Sequence, residues 1–136
     1  MSRSEKMVAA AMVVYLATVA FIVFSPTADV PSASVAEISA FLASLGAPAW
    51  LSGARVEFVT NVLLFVPLTF LGSLLKPRWT WVTWTLLGFA ASSLIELTQL
   101  VLLPGRSATV VDVVSNTLGA LLGALLAVLA RAPVSQ

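Results

Sequence analysis

The chain has 136 residues, of which 60% are hydrophobic and only 10% charged, against roughly 25% charged in an ordinary soluble domain. This places it in the membrane class, as one domain over residues 1–136, with no room for a separate soluble enzyme or nucleic-acid module. A net charge of +1 without a basic block argues against nucleic acid as a partner, and the lack of Cys and His excludes disulfides, thiolate metal sites, His-based triads and HExxH zinc chemistry.

The first apolar run, Met7 to Phe24, is long enough at about 1.5 Å per residue to cross most of a hydrocarbon core of about 30 Å. It reads as a retained anchor. The run exceeds a usual signal h-region, and the candidate cuts after Ala28 and Ala33 have Pro at the third position before them. Between Ser25 and Ala54, Ser34 and Glu37 have capping-box spacing, and Val35, Ile38, Leu42 and Leu45 recur at helical intervals until Gly46 and Pro48. A helix over residues 35–45 would be about 16 Å long, too short to span. It reads as an interfacial amphipathic connector, with a lid as the functional alternative.

Three further spans follow. Phe58 to Leu75 contains Asn61 and Pro67; Trp79 to Leu103 contains Ser92, Ser93, Glu96 and Gln99; and a run from about Val110 to Ala130 begins with Asp112 and Asn116. The predicted fold class is an all-α integral membrane protein, with four transmembrane helices and a short amphipathic helix in the first outer loop. Arg3, Lys6, Lys76, Arg78 and Arg131 fall on one side and only Arg55 and Arg106 on the other, so the positive-inside bias puts both termini in the cytoplasm. Trp79, Trp81 and Trp84 fit an inner interfacial belt. Pro67 takes the helical partner from the Leu63 carbonyl and is expected to kink its span. Gly119 and Gly123, continued by Ala127, read as a close-packing face.

The polar residues converge at the outer ends. Arg55, Glu57 and Asn61 open the second span, with Glu57 and Asn61 four apart on one face. Ser92, Glu96 and Gln99 occupy the outer half of the third span, followed by Arg106, and Asp112 and Asn116 open the fourth. Glu96 lies about 10 Å of helical rise inside Leu103, where a carboxylate needs a partner. The candidate partners are Arg55 or Arg106 folding inward, with Gln99, Ser92 and Asn116 supplying hydrogen bonds; alternatively Glu96 is protonated and serves as a donor. Against a functional site stands an interhelical clamp, and Thr109 with Asp112 also forms a capping pair at a helix start.

Two arginines beside a dry pocket suit a phosphate or carboxylate headgroup, with the carboxylates available as acid and base or as Mg²⁺ ligands. Glu96 and Asp112 are the catalytic candidates; Arg55, Glu57, Asn61, Ser92, Gln99, Arg106 and Asn116 are the ligand-binding candidates. No cofactor and no resident metal is called for. Ser92 and Ser93 lack both a nucleophile elbow and a recognisable activating base beyond Glu96.

NVLLFVPLTF at Asn61 to Phe70, SSLIELTQ at Ser92 to Gln99, and GR followed by DVVSNTLGALLG at Asp112 to Gly123 together resemble the VanZ-like family. The blocks cover the second to fourth spans. The resemblance implies a small multi-pass protein of the bacterial inner (cytoplasmic) membrane, in a family whose founding member is associated with teicoplanin resistance. It carries recurring polar positions onto Glu57, Asn61, Glu96, Gln99, Arg106, Asp112 and Asn116. The chain departs from the family pattern at Thr109, where an Asp is common, and at Thr69, where a Gly is common.

The leading expectation is an envelope protein whose outer pocket binds or modifies an anionic lipid-linked glycan or peptidoglycan precursor, such as a polyprenyl-phosphate species, among membrane lipids. One alternative is a small proton-coupled transporter, although carboxylates crowded at one end suit alternating access poorly. Another is a non-catalytic scaffold for partner envelope enzymes. The orientation is directly checkable, because the chain has no Cys. In intact cells a membrane-impermeant maleimide is expected to label Ser44→Cys, and to label Lys76→Cys only after permeabilisation.

Overall fold

A computed structural model describes residues 2–25, 29–103 and 109–132. Within them the chain forms five helices: α1 (Arg3–Val23), α2 (Asp29–Ser44), α3 (Ala54–Leu75), α4 (Trp81–Leu102) and α5 (Val110–Arg131). All except α2 are long and apolar enough to cross a membrane.

Local chemistry sets the helix ends. α1 begins a turn earlier than its apolar run because Ser2 caps it: the Glu5 N–H donates to Ser2 Oγ, and the Ser2 N–H donates to the Glu5 carboxylate. α2 begins at Asp29, so Ser34 and Glu37 lie inside the helix and do not cap it. Its start lies upstream of Pro31, which falls in the first turn, where backbone N–H groups have no helical acceptor. α2 ends as expected at Gly46, whose φ is 82°. There the Gly46 N–H donates to the Ala43 carbonyl and the Ala47 N–H to the Leu42 carbonyl, closing a Schellman motif. Gly53, with φ 53°, then precedes α3.

The core of the bundle is the contact of α5 with α3 and α4; α1 packs chiefly on α3. The α5 residues Ser115, Asn116, Gly119, Ala120, Gly123, Ala124 and Ala127 are buried and recur at helical spacing, while Leu118, Leu122, Leu126 and Leu129 on the other faces are exposed. A stripe of small residues facing protein and a leucine face outside is the pattern of a helix packed in lipid, where close backbone approach drives association. A Cβ on Gly119 would collide with the Val62 carbonyl oxygen, and one on Gly123 with the Val66 carbonyl oxygen. Gly88 of α4 meets the Ala120 methyl in the same way.

The polar contacts fix the helix directions. Asn61 and Asp112, near the starts of α3 and α5, meet at one end. Arg131 of α5 reaches the Ser73 carbonyl of α3 at the other. The two helices are therefore parallel neighbours, with α1 and α4 antiparallel to them. Gln99 of α4 donates to the Val23 carbonyl at the end of α1, which puts both termini of the described chain at the end that carries Lys76, Arg78 and Arg131.

α3 runs unbroken through Pro67. Beside it the Tyr15 hydroxyl donates to the Leu64 carbonyl at 2.9 Å, one residue from the carbonyl that Pro67 leaves without its helical donor. Trp84 also departs from the expected belt. Its ring lies over Gly72 of α3, and its centroid is 5.3 Å from that of Trp79, whereas Trp79 and Trp81 are exposed.

Gly119→Ala and Gly123→Ala each force α3 away from α5. Each is expected to cost about 1–3 kcal/mol, read as a lowered thermal midpoint of the purified protein in detergent.

Candidate functional site

The end of the bundle opposite the basic residues holds a polar network built from three helices. α5 starts at Thr109, whose hydroxyl accepts the Asp112 N–H at 3.1 Å and donates to Asp112 Oδ2 at 2.7 Å. Thr109 is thus the cap that the sequence spacing calls for. Its backbone N–H, which no helix carbonyl can take, donates to Glu96 Oε2 at 2.7 Å. One residue therefore ties both carboxylates of the site together.

Asn61 closes the network from α3. Its Nδ2 donates to Asp112 Oδ1 at 2.7 Å, so both Asp112 oxygens accept a hydrogen bond. One turn deeper, Asn116 Nδ2 donates to Ser92 Oγ at 2.9 Å, joining α5 to α4. Asn116 is buried, and its Oδ1 has no hydrogen-bond partner among the described residues. An orphaned buried acceptor of this kind costs about 1–3 kcal/mol and is open to a donor from outside the chain.

Most of the sequence-predicted set meets here: Asn61, Ser92, Glu96, Asp112 and Asn116 line one end of the α3–α4–α5 contact. Three details differ from expectation. Arg55 does not fold inward to Glu96; its Nη1 donates to the Trp50 carbonyl at 2.6 Å and its guanidinium lies over the Trp50 ring, 5.6 Å from the centroid. This cation–π contact holds it at the exposed start of α3. Gln99 is buried but bonds the Val23 carbonyl, and Ser92 and Asn116 bond each other. Glu57 shares a helix face with Asn61 yet is exposed, one turn outside the network. Arg106 lies outside the described residues.

Sequence reasoning found the Thr109 cap but not its backbone bond to Glu96. The signal was present in principle: the backbone N–H of an N-cap residue has no helical acceptor and is available to a side chain of a neighbouring helix.

The VanZ/LLP1 family model matches residues 12–131. The chain belongs to the VanZ/LLP1 family. No curated protein and no solved structure matches it. The VanZ/LLP1 match takes in every residue of the network and extends into α1, beyond the blocks that carried the sequence resemblance.

Both departures from the VanZ-like pattern have a physical place in the fold. Thr109 keeps the capping role that an Asp would also fill, with a neutral hydroxyl beside Asp112. Thr69 is buried against Gly123, and its hydroxyl bonds back to the Phe65 carbonyl at 3.3 Å. A Cβ on Gly123 would meet Thr69 Oγ1, so Gly123 gives room for this side chain.

Thr109→Val removes the cap at nearly constant volume and is expected to cost about 1 kcal/mol. Thr109→Ser should retain most of that stability, with thermal unfolding of the two variants as the check.

Proposed function

We propose that this VanZ-like envelope membrane protein binds the headgroup of an anionic lipid-linked glycan or peptidoglycan precursor at the network end of the bundle. That end faces outward from the cytoplasmic membrane. The observation that carries the reading is the pairing of two linked carboxylates with the orphaned acceptor of buried Asn116. Carboxylates and amides receive the hydroxyl and amide N–H groups of a glycan or peptide, and such groups held beside apolar helices are costly without a use or a partner. Arg106, in the segment joining α4 to α5, supplies the cation for a phosphate. Arg55, held by Trp50, has no part in this contact.

Glu96 and Asp112 are also the groups placed to exchange protons with such a headgroup, so modification of the bound precursor would run through them. A part in glycopeptide (teicoplanin) resistance would follow from holding or altering that precursor. Among the described residues both buried or half-buried carboxylates of the spans lie at one end, which favours binding there over proton-coupled transport across the bundle.

The test is native mass spectrometry of protein extracted gently from a bacterial membrane. The wild type is expected to retain a polyprenyl-phosphate-linked species, and Arg106→Ala and Glu96→Gln to retain it at least about tenfold less. Glu96→Gln keeps the side-chain volume and an acceptor oxygen for the Thr109 N–H, and a folded variant is confirmed by its thermal midpoint. The same bulk phospholipids on all three proteins would sink the pocket and leave a scaffold.

A further inference from the structure

The opposite end of the bundle carries a second site. We infer that the cleft between the α3–α4 turn and the last turn of α5 binds the phosphodiester headgroup of an anionic membrane phospholipid. The cleft has a volume of about 430 Å³, and its walls include Arg78, Trp79, Thr80, Trp81, Val128 and Arg131. No acidic residue is among the described residues that line it.

Arg131 is held in place for such a contact. Its Nε donates to the Ala127 carbonyl at 3.0 Å, and its Nη1 to the carbonyls of Ser73 at 3.3 Å and Pro77 at 3.4 Å. These bonds fix the plane of the guanidinium and leave Nη2 without a partner among the described residues. A guanidinium oriented by three carbonyls loses little further entropy when it takes a phosphate. Arg78 supplies the second cation from the opposite wall and is exposed.

The start of α4 adds a third element. Thr80 caps the helix by accepting the Thr83 N–H, which leaves the Trp81 and Val82 N–H groups of the first turn at the positive end of the helix dipole. An anion here meets two arginines and a helix N-terminus together.

The surroundings favour a lipid over a soluble anion. The same lining that holds the arginines includes Val128, Trp79 and Trp81, all three exposed. Exposed tryptophans belong at headgroup depth, and the leucines at 125 and 129, also exposed on α5, continue an apolar track for an acyl chain. A basic cleft between membrane helices is a recurring design for anionic headgroups.

The experiment is native mass spectrometry of the full chain in detergent, titrated with phosphatidylglycerol or phosphatidylcholine of identical acyl chains. The wild type is expected to prefer phosphatidylglycerol by about thirtyfold, given roughly 1 kcal/mol for each of the two arginines near an anionic lipid. Arg78→Gln, which breaks no hydrogen bond among the described residues, and Arg131→Gln should each lower that preference severalfold. Lys76→Gln, at the same end but outside the cleft, should keep it. Equal binding of the two lipids by the wild type, or an unchanged preference in Arg78→Gln, would overturn the assignment. Displacement of the lipid by millimolar inorganic phosphate would reassign the cleft to a soluble anion.

Discussion

The contact between α3 and α5 is made of backbone. Gly119 and Gly123 lie against the carbonyl oxygens of Val62 and Val66, with no room for even a methyl group between them. In lipid there is no hydrophobic gain from pressing two apolar helices together, so this approach rests on dispersion and on what it allows the polar groups to reach. It allows two ties. Asn61 meets Asp112 at one end, and Arg131 meets the Ser73 carbonyl at the other, about 18 Å of helical rise away. A side chain at either glycine would lengthen both, so the two ends of the molecule share one constraint.

The carboxylate network shows how little covalent material a membrane site requires. Thr109 acts three times: its hydroxyl accepts from the Asp112 backbone and donates to the Asp112 side chain, while its own N–H holds Glu96. Each bond is of a modest kind, but together they fix the spacing of two acidic groups. A carboxylic acid in place of Thr109 would add a third acidic group to the network. The hydroxyl keeps the capping geometry and adds none.

Much of this was legible in the sequence because the signals there are strong. Apolar runs of spanning length, same-face spacing from Ser92 to Glu96 and from Asp112 to Asn116, and the glycines of α5 each reflect a period that lipid imposes on a helix. What escaped depends on contacts between distant segments. Nothing around Arg55 announces that the Trp50 carbonyl and ring will hold it, five residues back across the turn at Gly53. Gln99 likewise has a helix-facing position that fits Glu96 by spacing, yet the end of α1 brings it the Val23 carbonyl. Trp84 looks interfacial by position and is placed by a glycine on another helix. Pairings of this sort are set by which helices become neighbours, and periodicity within one helix does not encode that.

α1 stands apart from the rest. Its buried residues are Val19 and Val23, while Val13, Val14, Leu16 and Phe21 are exposed, and among the described residues the Tyr15 hydroxyl on Leu64 and the Val23 carbonyl on Gln99 tie it to other helices. Both partners are synthesised after it. The Leu64 carbonyl belongs to α3 and Gln99 to α4, so neither tie can form until those later helices are made. Its apolar surface makes that wait inexpensive.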